Sequence, residues 1–277
     1  RGVGAMLGQW GLADIVDRVV PWGGEVPLGT VVEVLVTNRL LNPQALYSMG
    51  DWAEGAAVTD YFGLTAEQLN DDRLGRALER VAEHGTQLHS ATTLAAVQRW
   101  QLRVEQIHYD ISNAELYGAY PGAQPAPDAD PGTGPSPTQV PCVPFPTYGR
   151  TKSGRDNIKQ VQFGLNVLGD GAVPVALSPL AGNTAEARTH VANLLRLQEM
   201  FPTHRYLYLG DSKLDTPENL AAAQQTAGEF LCAGVFTRPL QARFREVRNK
   251  LRPVDYCSQA DAKRPPADRD QYQACEV

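Results

Sequence analysis

A chain of 277 residues is long enough for two ordinary domains, or for one large domain with an appendage. With 43% hydrophobic and 20% charged residues its composition is globular rather than disordered. No apolar run reaches the length of a membrane span, so a cytoplasmic protein without a membrane partner is expected. The net charge of −6 argues mildly against nucleic acid as a partner, although the distribution of Lys and Arg matters more than the sum. Cys142, Cys232, Cys257 and Cys275 are scattered without zinc-ligand spacing and read as reduced thiols.

The first hundred residues read as helical. Gly11 to Val20 and Thr30 to Leu41 carry apolar residues at three- and four-residue spacing. Leu74, Ala77, Leu78 and Val81 repeat that spacing, with Gly85 placed to end their helix, and a further helix is expected from about Leu88 to Leu102. The glycines of GVGAMLG, Gly2 to Gly8, imitate a nucleotide loop, but no strand precedes them, so they read as a cut terminus or a helix lead-in.

Beyond residue 101 the pattern changes. Val104 to Tyr109 predicts a short strand ending on Asp110. Pro121 to Pro146, rich in Pro, Gly and Ala, offers little to pack and predicts a flexible insertion. From Gln162 the residues alternate, with Phe163, Leu165 and Val167 set against Gln162, Gly164 and Asn166. Asp170-Gly171 is a hairpin signal, and Val173, Val175 and Leu177 resume the alternation. Pro174 removes a ladder donor and predicts an edge strand or a bulge.

Asn183, with Glu186 three residues on, approximates a capping box for a helix carrying Val191, Leu194, Leu195 and Leu197 and ended by Pro202. Arg205 to Gly210 predicts a buried strand leading into Asp211. Thr216 with Pro217 opens the next helix, and Phe230 to Ala233 is a last short strand. This mixed α/β order matches an RNase H-like sheet flanked by helices, preceded by an all-α N-terminal domain. The expected domains are 1–101, helical; 102–236, the RNase H-like core with the insertion 121–146; and 237–277, the start of a basic, proline-containing insertion or tail.

Asp110 and Asp211 each fall at the C-terminal end of a strand candidate, where the backbone is rigid and a carboxylate can face solvent. Two carboxylates at a sheet end form a hard oxygen site suited to Mg²⁺ or Mn²⁺. Taken singly, an aspartate after a strand more often only makes a turn by bonding nearby backbone N–H groups.

The context is more specific. YDISNAELYGAY, Tyr109 to Tyr120, resembles the segment holding the first aspartate of DDE transposases in the insertion-sequence-4-like superfamily. TKSGRDNIKQ followed by a hairpin and Gly182-Asn183 is similar to that family's basic run and turn, and YLGDSKLDTPENL, Tyr208 to Leu220, to its second-aspartate motif. The leading helical portion, including LNDDRLGRALERVAEHG, is similar to one branch of the family, and the likeness extends to about Arg238.

The resemblance implies a DNA transposase that cuts and joins DNA with two Mg²⁺ or Mn²⁺ ions. Asp110 and Asp211 would be its catalytic, metal-binding carboxylates, and Ser112 a hydroxyl orienting the first of them. It implies contact with double-stranded DNA, both transposon ends and target, and dimerisation on that DNA. Lys152, Arg155 and Lys159, and in a second cluster Arg243, Arg245 and Arg248, are the candidate DNA contacts, although any such run reads first as a solvated face. Arg155, Asp156, Lys159 and Gln160 match the basic run, whose roles divide between backbone contact and local structure. The family's third carboxylate, a glutamate on a late helix, has no clear counterpart. Glu246 is a weak candidate whose FREVRNK surroundings lack the pattern, so the chain is expected to be C-terminally truncated and inactive as it stands. An RNase H-like nuclease unrelated to transposition and a non-catalytic DNA-binding remnant are the alternatives.

Overall fold

The computed structural model describes residues 2–120, 145–149, 151, 154–155, 157–234, 236–258 and 261–276. Two compact units result, Arg1–Cys232 and Ala233–Val277.

The first unit opens with seven helices: α1 (Gly2–Trp10), α2 (Leu12–Val19), α3 (Leu28–Leu41), α4 (Met49–Gly55), α5 (Val58–Phe62), α6 (Asp71–Glu83) and α7 (Gly85–Trp100). Their apolar stripes converge on one core, in which Val16, Leu28, Val31, Val34, Met49, Leu69 and Leu74 are fully buried. GVGAMLG is itself helical, within α1. Asn70 caps α6 by accepting from Arg73 N at 2.9 Å. Gly85 does not end α6 in a left-handed turn; it is the first residue of α7, and His84 makes the junction. One side of α7 packs on this core through Leu88, Ala91 and Ala95, while Leu94 and Val97 pack on the core of the sheet that follows.

That sheet is built from β1 (Gln106–Leu116), β2 (Thr147–Tyr148), β3 (Lys159–Leu168), β4 (Pro174–Ala181), then α8 (His190–Met200), β5 (Tyr206–Gly210), α9 (Pro217–Thr226) and β6 (Gly228–Cys232). The strand order is β2-β3-β1-β5-β6, with β4 also on β3. β1, β3 and β4 are antiparallel, whereas β5 joins β1, and β6 joins β5, in parallel. This is the expected RNase H-like mixed sheet. Parallel neighbours require crossovers, and α9 provides the one from β5 to β6.

Several local expectations meet the structure directly. Among the described residues Pro174 is on a strand paired only with β3, and the β3/β4 register shifts between Asn166 and Val167, so the predicted edge and the predicted bulge both occur. Thr216 accepts from Asn219 N at 3.2 Å and caps α9, with Pro217 in its first turn. Asn183 caps nothing: residues 186–188 form a 3-10 turn, and α8 begins only at His190. Strand β1 is also longer than expected. It continues six residues past Asp110 to Leu116 because Ile107–Leu116 is laddered to β3.

The faces of β3 are inverted relative to a simple amphipathic strand. Gln160, Gln162, Gly164 and Asn166 are buried, while Val161, Phe163, Leu165 and Val167 are only half-buried. Burial of the polar row is tolerable where it is bonded. Asn166 and Asn193 exchange two amide hydrogen bonds of 2.7 and 2.8 Å. Gln160 donates to Gly182 O at 2.6 Å and accepts from Asn113 Nδ2 at 2.7 Å. Gly182 permits that approach: a Cβ there would strike Gln160 O and lie 2.8 Å from Thr147 O.

The second unit contains α10 (Arg238–Val247) and a two-stranded hairpin of β7 (Arg252–Val254) and β8 (Tyr272–Ala274). The edge-to-face ring pair Tyr256–Tyr272 sits beside that hairpin, and Asp261 is held by Ser258 and Arg264. Among the described residues no helix is long and apolar enough to cross a membrane.

Candidate active site

The parallel pairing of β1 and β5 runs in the same step as the two singled-out aspartates. Gln106 pairs with Leu207 and His108 with Leu209, a separation of 101 positions (207 − 106), which is also that of Asp110 and Asp211 (211 − 110). The pairing ends at His108 and Leu209; carried on by two residues, the same step would align Asp110 with Asp211. Neighbouring strands run about 4.8 Å apart. In β1 the even-numbered Gln106, His108, Asp110 and Ser112 are exposed, and Ile107, Tyr109 and Ile111 are buried. In β5, Tyr206 and Tyr208 are buried and Asp211 is exposed. Asp110 thus occupies the face of β1 opposite the buried Tyr109, with Ser112 two positions along on the same side, and Asp211 is exposed just past the end of β5.

Asp110 is a mid-strand residue rather than the strand-terminal one expected. Asp211 is the first residue after β5, and there it also makes the ordinary turn: its Oδ1 accepts from Lys213 N at 2.7 Å. Among the described residues Asp110 makes no hydrogen bond or ion pair, and neither does Oδ2 of Asp211. Two open carboxylates aligned in that way would be a hard donor set suited to one divalent ion. No group of three or more His, Cys, Asp or Glu side chains placed to hold a metal occurs among the described residues.

Beneath the pair lies a buried polar cluster that sequence reasoning missed. The Tyr109 hydroxyl donates to Thr189 Oγ1 at 2.8 Å, and the Tyr208 hydroxyl lies 3.1 Å from His190 Nδ1 and 3.0 Å from Asn193 Nδ2. Burial pushes the Tyr109 phenol up to about 12, Tyr208 well above its usual value, and the His190 imidazole down to about 4, with the Asp211 charge pulling His190 the other way. Gly164 leaves the space that Tyr109 fills, since a Cβ there would lie 2.6 Å from its hydroxyl. The one sequence signal for this cluster was the polar row of β3, whose Asn166 is bonded to Asn193.

The cationic candidates fall into two places. Arg155 is exposed and donates to the Tyr117 hydroxyl at 3.1 Å. Lys159 donates to Ala119 O at 2.7 Å, with its Nζ 5.8 Å from the centroid of the Tyr148 ring. Lys159 has the parity of Leu165, the residue paired with Asp110, so it shares the face of Asp110. It is six residues along β3 from Leu165, or about 20 Å at 3.3 Å per residue. Gln160 is fully buried and serves local structure. Lys152, Asp156 and the bulk of the expected insertion, residues 121–144, lie outside the described residues. Arg243, Arg245 and Arg248 are exposed in the second unit. Glu246, there too, is exposed and paired with Arg243 at 2.9 Å, one turn away on the same helix.

A family described as a domain of unknown function (DUF4277) matches residues 3–92, the helical portion. No curated protein matches the sequence. Among solved structures, the chain is similar to the Mos1 transposase paired-end complex with left transposon end, at 11% identity and a TM-score of 0.28, covering 82% of this chain and 68% of that one. The Mos1 mariner paired-end complex with Mn gives 12% identity, a TM-score of 0.29 and coverages of 85% and 69%. The Mos1 strand transfer complex gives 13%, 0.26, 88% and 70%.

Proposed function

We propose that this chain carries the DNA-cleaving core of a DDE-type transposase of the insertion-sequence-4-like kind. The observation that supports the reading is the parallel register of β1 and β5, which pairs His108 with Leu209 and, carried on by two residues, would align Asp110 with Asp211. It is supported by the mixed sheet order and by three motifs in the expected sequence order.

Asp110 and Asp211 would hold Mg²⁺ or Mn²⁺ through their free oxygens, and such an ion would supply charge stabilisation for in-line displacement at phosphorus. The chain's own part is positional. The laddered backbone of β1 fixes one carboxylate, and the turn bond from Lys213 N fixes the other. Lys159 and Arg155 would take the phosphates of a duplex crossing the face, and Lys152, Arg243, Arg245 and Arg248 would add to them. Double-stranded transposon ends and target DNA are the proposed partners, with two protomers acting together.

A second reading has its own observation. A two-metal mechanism needs ligands beyond two aspartates, and among the described residues no third acidic side chain is gathered with them. A chain in that condition binds DNA and one ion without cutting.

The test is Mn²⁺-dependent nicking of a transposon-end duplex, run beside calorimetric titration with Mn²⁺. Cleavage lost in both Asp110→Asn and Asp211→Asn supports the transposase core. DNA binding and Mn²⁺ uptake without cleavage support the second reading. Nicking that survives Asp211→Asn rejects the site.

A further inference from the structure

We propose that Tyr117 and Tyr148, with the cations of Arg155 and Lys159 set against them, form a stacking platform for unpaired bases of single-stranded DNA. It deepens the DNA contact proposed above and rests on that contact, not on cleavage.

Among the described residues β2 is the end strand of the sheet, and Tyr148 in it pairs with Lys159 of β3, which on its other side pairs with Leu116 of β1. Side chains directly opposite on neighbouring strands point to one face. The Lys159 Nζ is 5.8 Å from the centroid of the Tyr148 ring, within cation–π range. The same Nζ donates to Ala119 O at 2.7 Å, which ties the chain leaving β1 to this row. Tyr117 is the first residue of that chain, and its hydroxyl accepts from Arg155 Nη1 at 3.1 Å. Gly118, at φ +146°, turns the backbone there, and a Cβ on it would lie 3.1 Å from the Tyr120 ring. Leu116 and Tyr148 are two strand spacings apart, about 10 Å, so one short run of nucleotides reaches both ends of the row.

A single exposed ring needs no explanation. Here two coincide with two cations. Tyr117 is 71% exposed and Tyr148 57%, so each forgoes most of the burial by which an aromatic stabilises a fold. Neither Arg155 nor Lys159 forms an ion pair among the described residues; their printed partners are a phenol, a carbonyl and a ring, which leave the positive charges open to phosphate. A duplex keeps its base faces inside its own stack and offers such a surface only its backbone. An unpaired base adds a π face, which stacks on an aromatic side chain whatever the sequence, while basic groups follow the backbone. Lys159 is about 20 Å along β3 from Leu165, the partner of Asp110, so the platform is a surface of its own and not a part of the carboxylate site.

The experiment is fluorescence anisotropy of the whole chain with labelled oligothymidylate and, in parallel, with a duplex, both without metal. We expect the ratio of single-strand to duplex affinity to fall about tenfold in Tyr117→Ala and again in Tyr148→Ala. Tyr148→Trp, which keeps an aromatic face, should hold the wild-type ratio, and its added tryptophan emission should be quenched as oligothymidylate saturates the chain. A ratio unchanged in either alanine variant, an unquenched Trp at 148, or no binding of oligothymidylate overturns the platform. So does sedimentation showing that the two alanine changes instead break apart a pair of chains. Tyrosine-dependent binding of oligothymidylate by a chain that does not nick with Mn²⁺ rejects the cleavage reading alone. Nicking by a chain whose single-strand binding ignores both tyrosines rejects the platform alone.

Discussion

The reciprocal Asn166–Asn193 pair offers a quantitative check on how the sheet and α8 are joined. Both side chains are buried, at 0% and 5% exposure, and are linked by two hydrogen bonds, with a third from Asn193 to Tyr208. Asn193→Leu would strip all three and strand both polar atoms of Asn166 in an apolar setting. At about 1 kcal/mol net per lost bond, plus the cost of an unsatisfied buried amide, destabilisation should be ~4 kcal/mol. Asn166→Leu removes two of the bonds and should cost ~3 kcal/mol. In the double variant no amide is left stranded, only Tyr208 lacks its donor, and the total should be ~2 kcal/mol rather than the ~7 of simple addition. Urea unfolding followed by far-ultraviolet circular dichroism, with the slope unchanged across the set, measures the cycle. Additivity to within ~0.5 kcal/mol would refute the idea that these amides depend on each other.

Three further outcomes follow from particular residues. The folded state keeps His190 neutral down to about pH 4 while the unfolded chain protonates it near 6.5, so stability should be intact above ~6.5 and fall by up to ~3 kcal/mol as pH drops toward ~4. Urea midpoints across that range should show the acid loss, flattened in His190→Phe. If Lys159 and Arg155 contact phosphates, replacing each by Ala should lower the slope of log affinity against log salt by ~0.9, readable by fluorescence anisotropy with a duplex; an unchanged slope would remove them from the interface. Gly182→Ala should cost ~3 kcal/mol by forcing Gln160 and Thr147 apart where β2, β3 and β4 meet, and a melting temperature equal to wild type would contradict that geometry.

Much of this was legible in the sequence because the signals were local. Thr216-Pro217 opened its helix, Pro174 announced an irregular edge, and RYLYLG gave a strand running into Asp211. What failed depended on distant partners. The residues after Asp110, Ser112 to Leu116, have little alternation of their own and stay extended only because β3 ladders them. The burial of Asn166 depends on an amide that comes from α8, 27 residues on, and no strand periodicity reports it. His190 read as an ordinary helix residue; its isolation from water is fixed by Tyr109 and Tyr208 on two different strands.

The in-step pairing of β1 and β5 also makes the carboxylate pair a matter of parity. Side chains alternate between the two faces of a sheet, so inserting or deleting one residue between His108 and Asp110 would turn that carboxylate through the sheet and into the tyrosine cluster. A two-residue change would return it to the open face but displaced by about 6.6 Å along the strand. Length changes in the chain joining Tyr120 to Phe145 meet no such rule, because the β1–β5 ladder, not the intervening chain, sets the match. Within the strands the spacing of these aspartates behaves like a reading frame, intolerant of single steps; between them it is free.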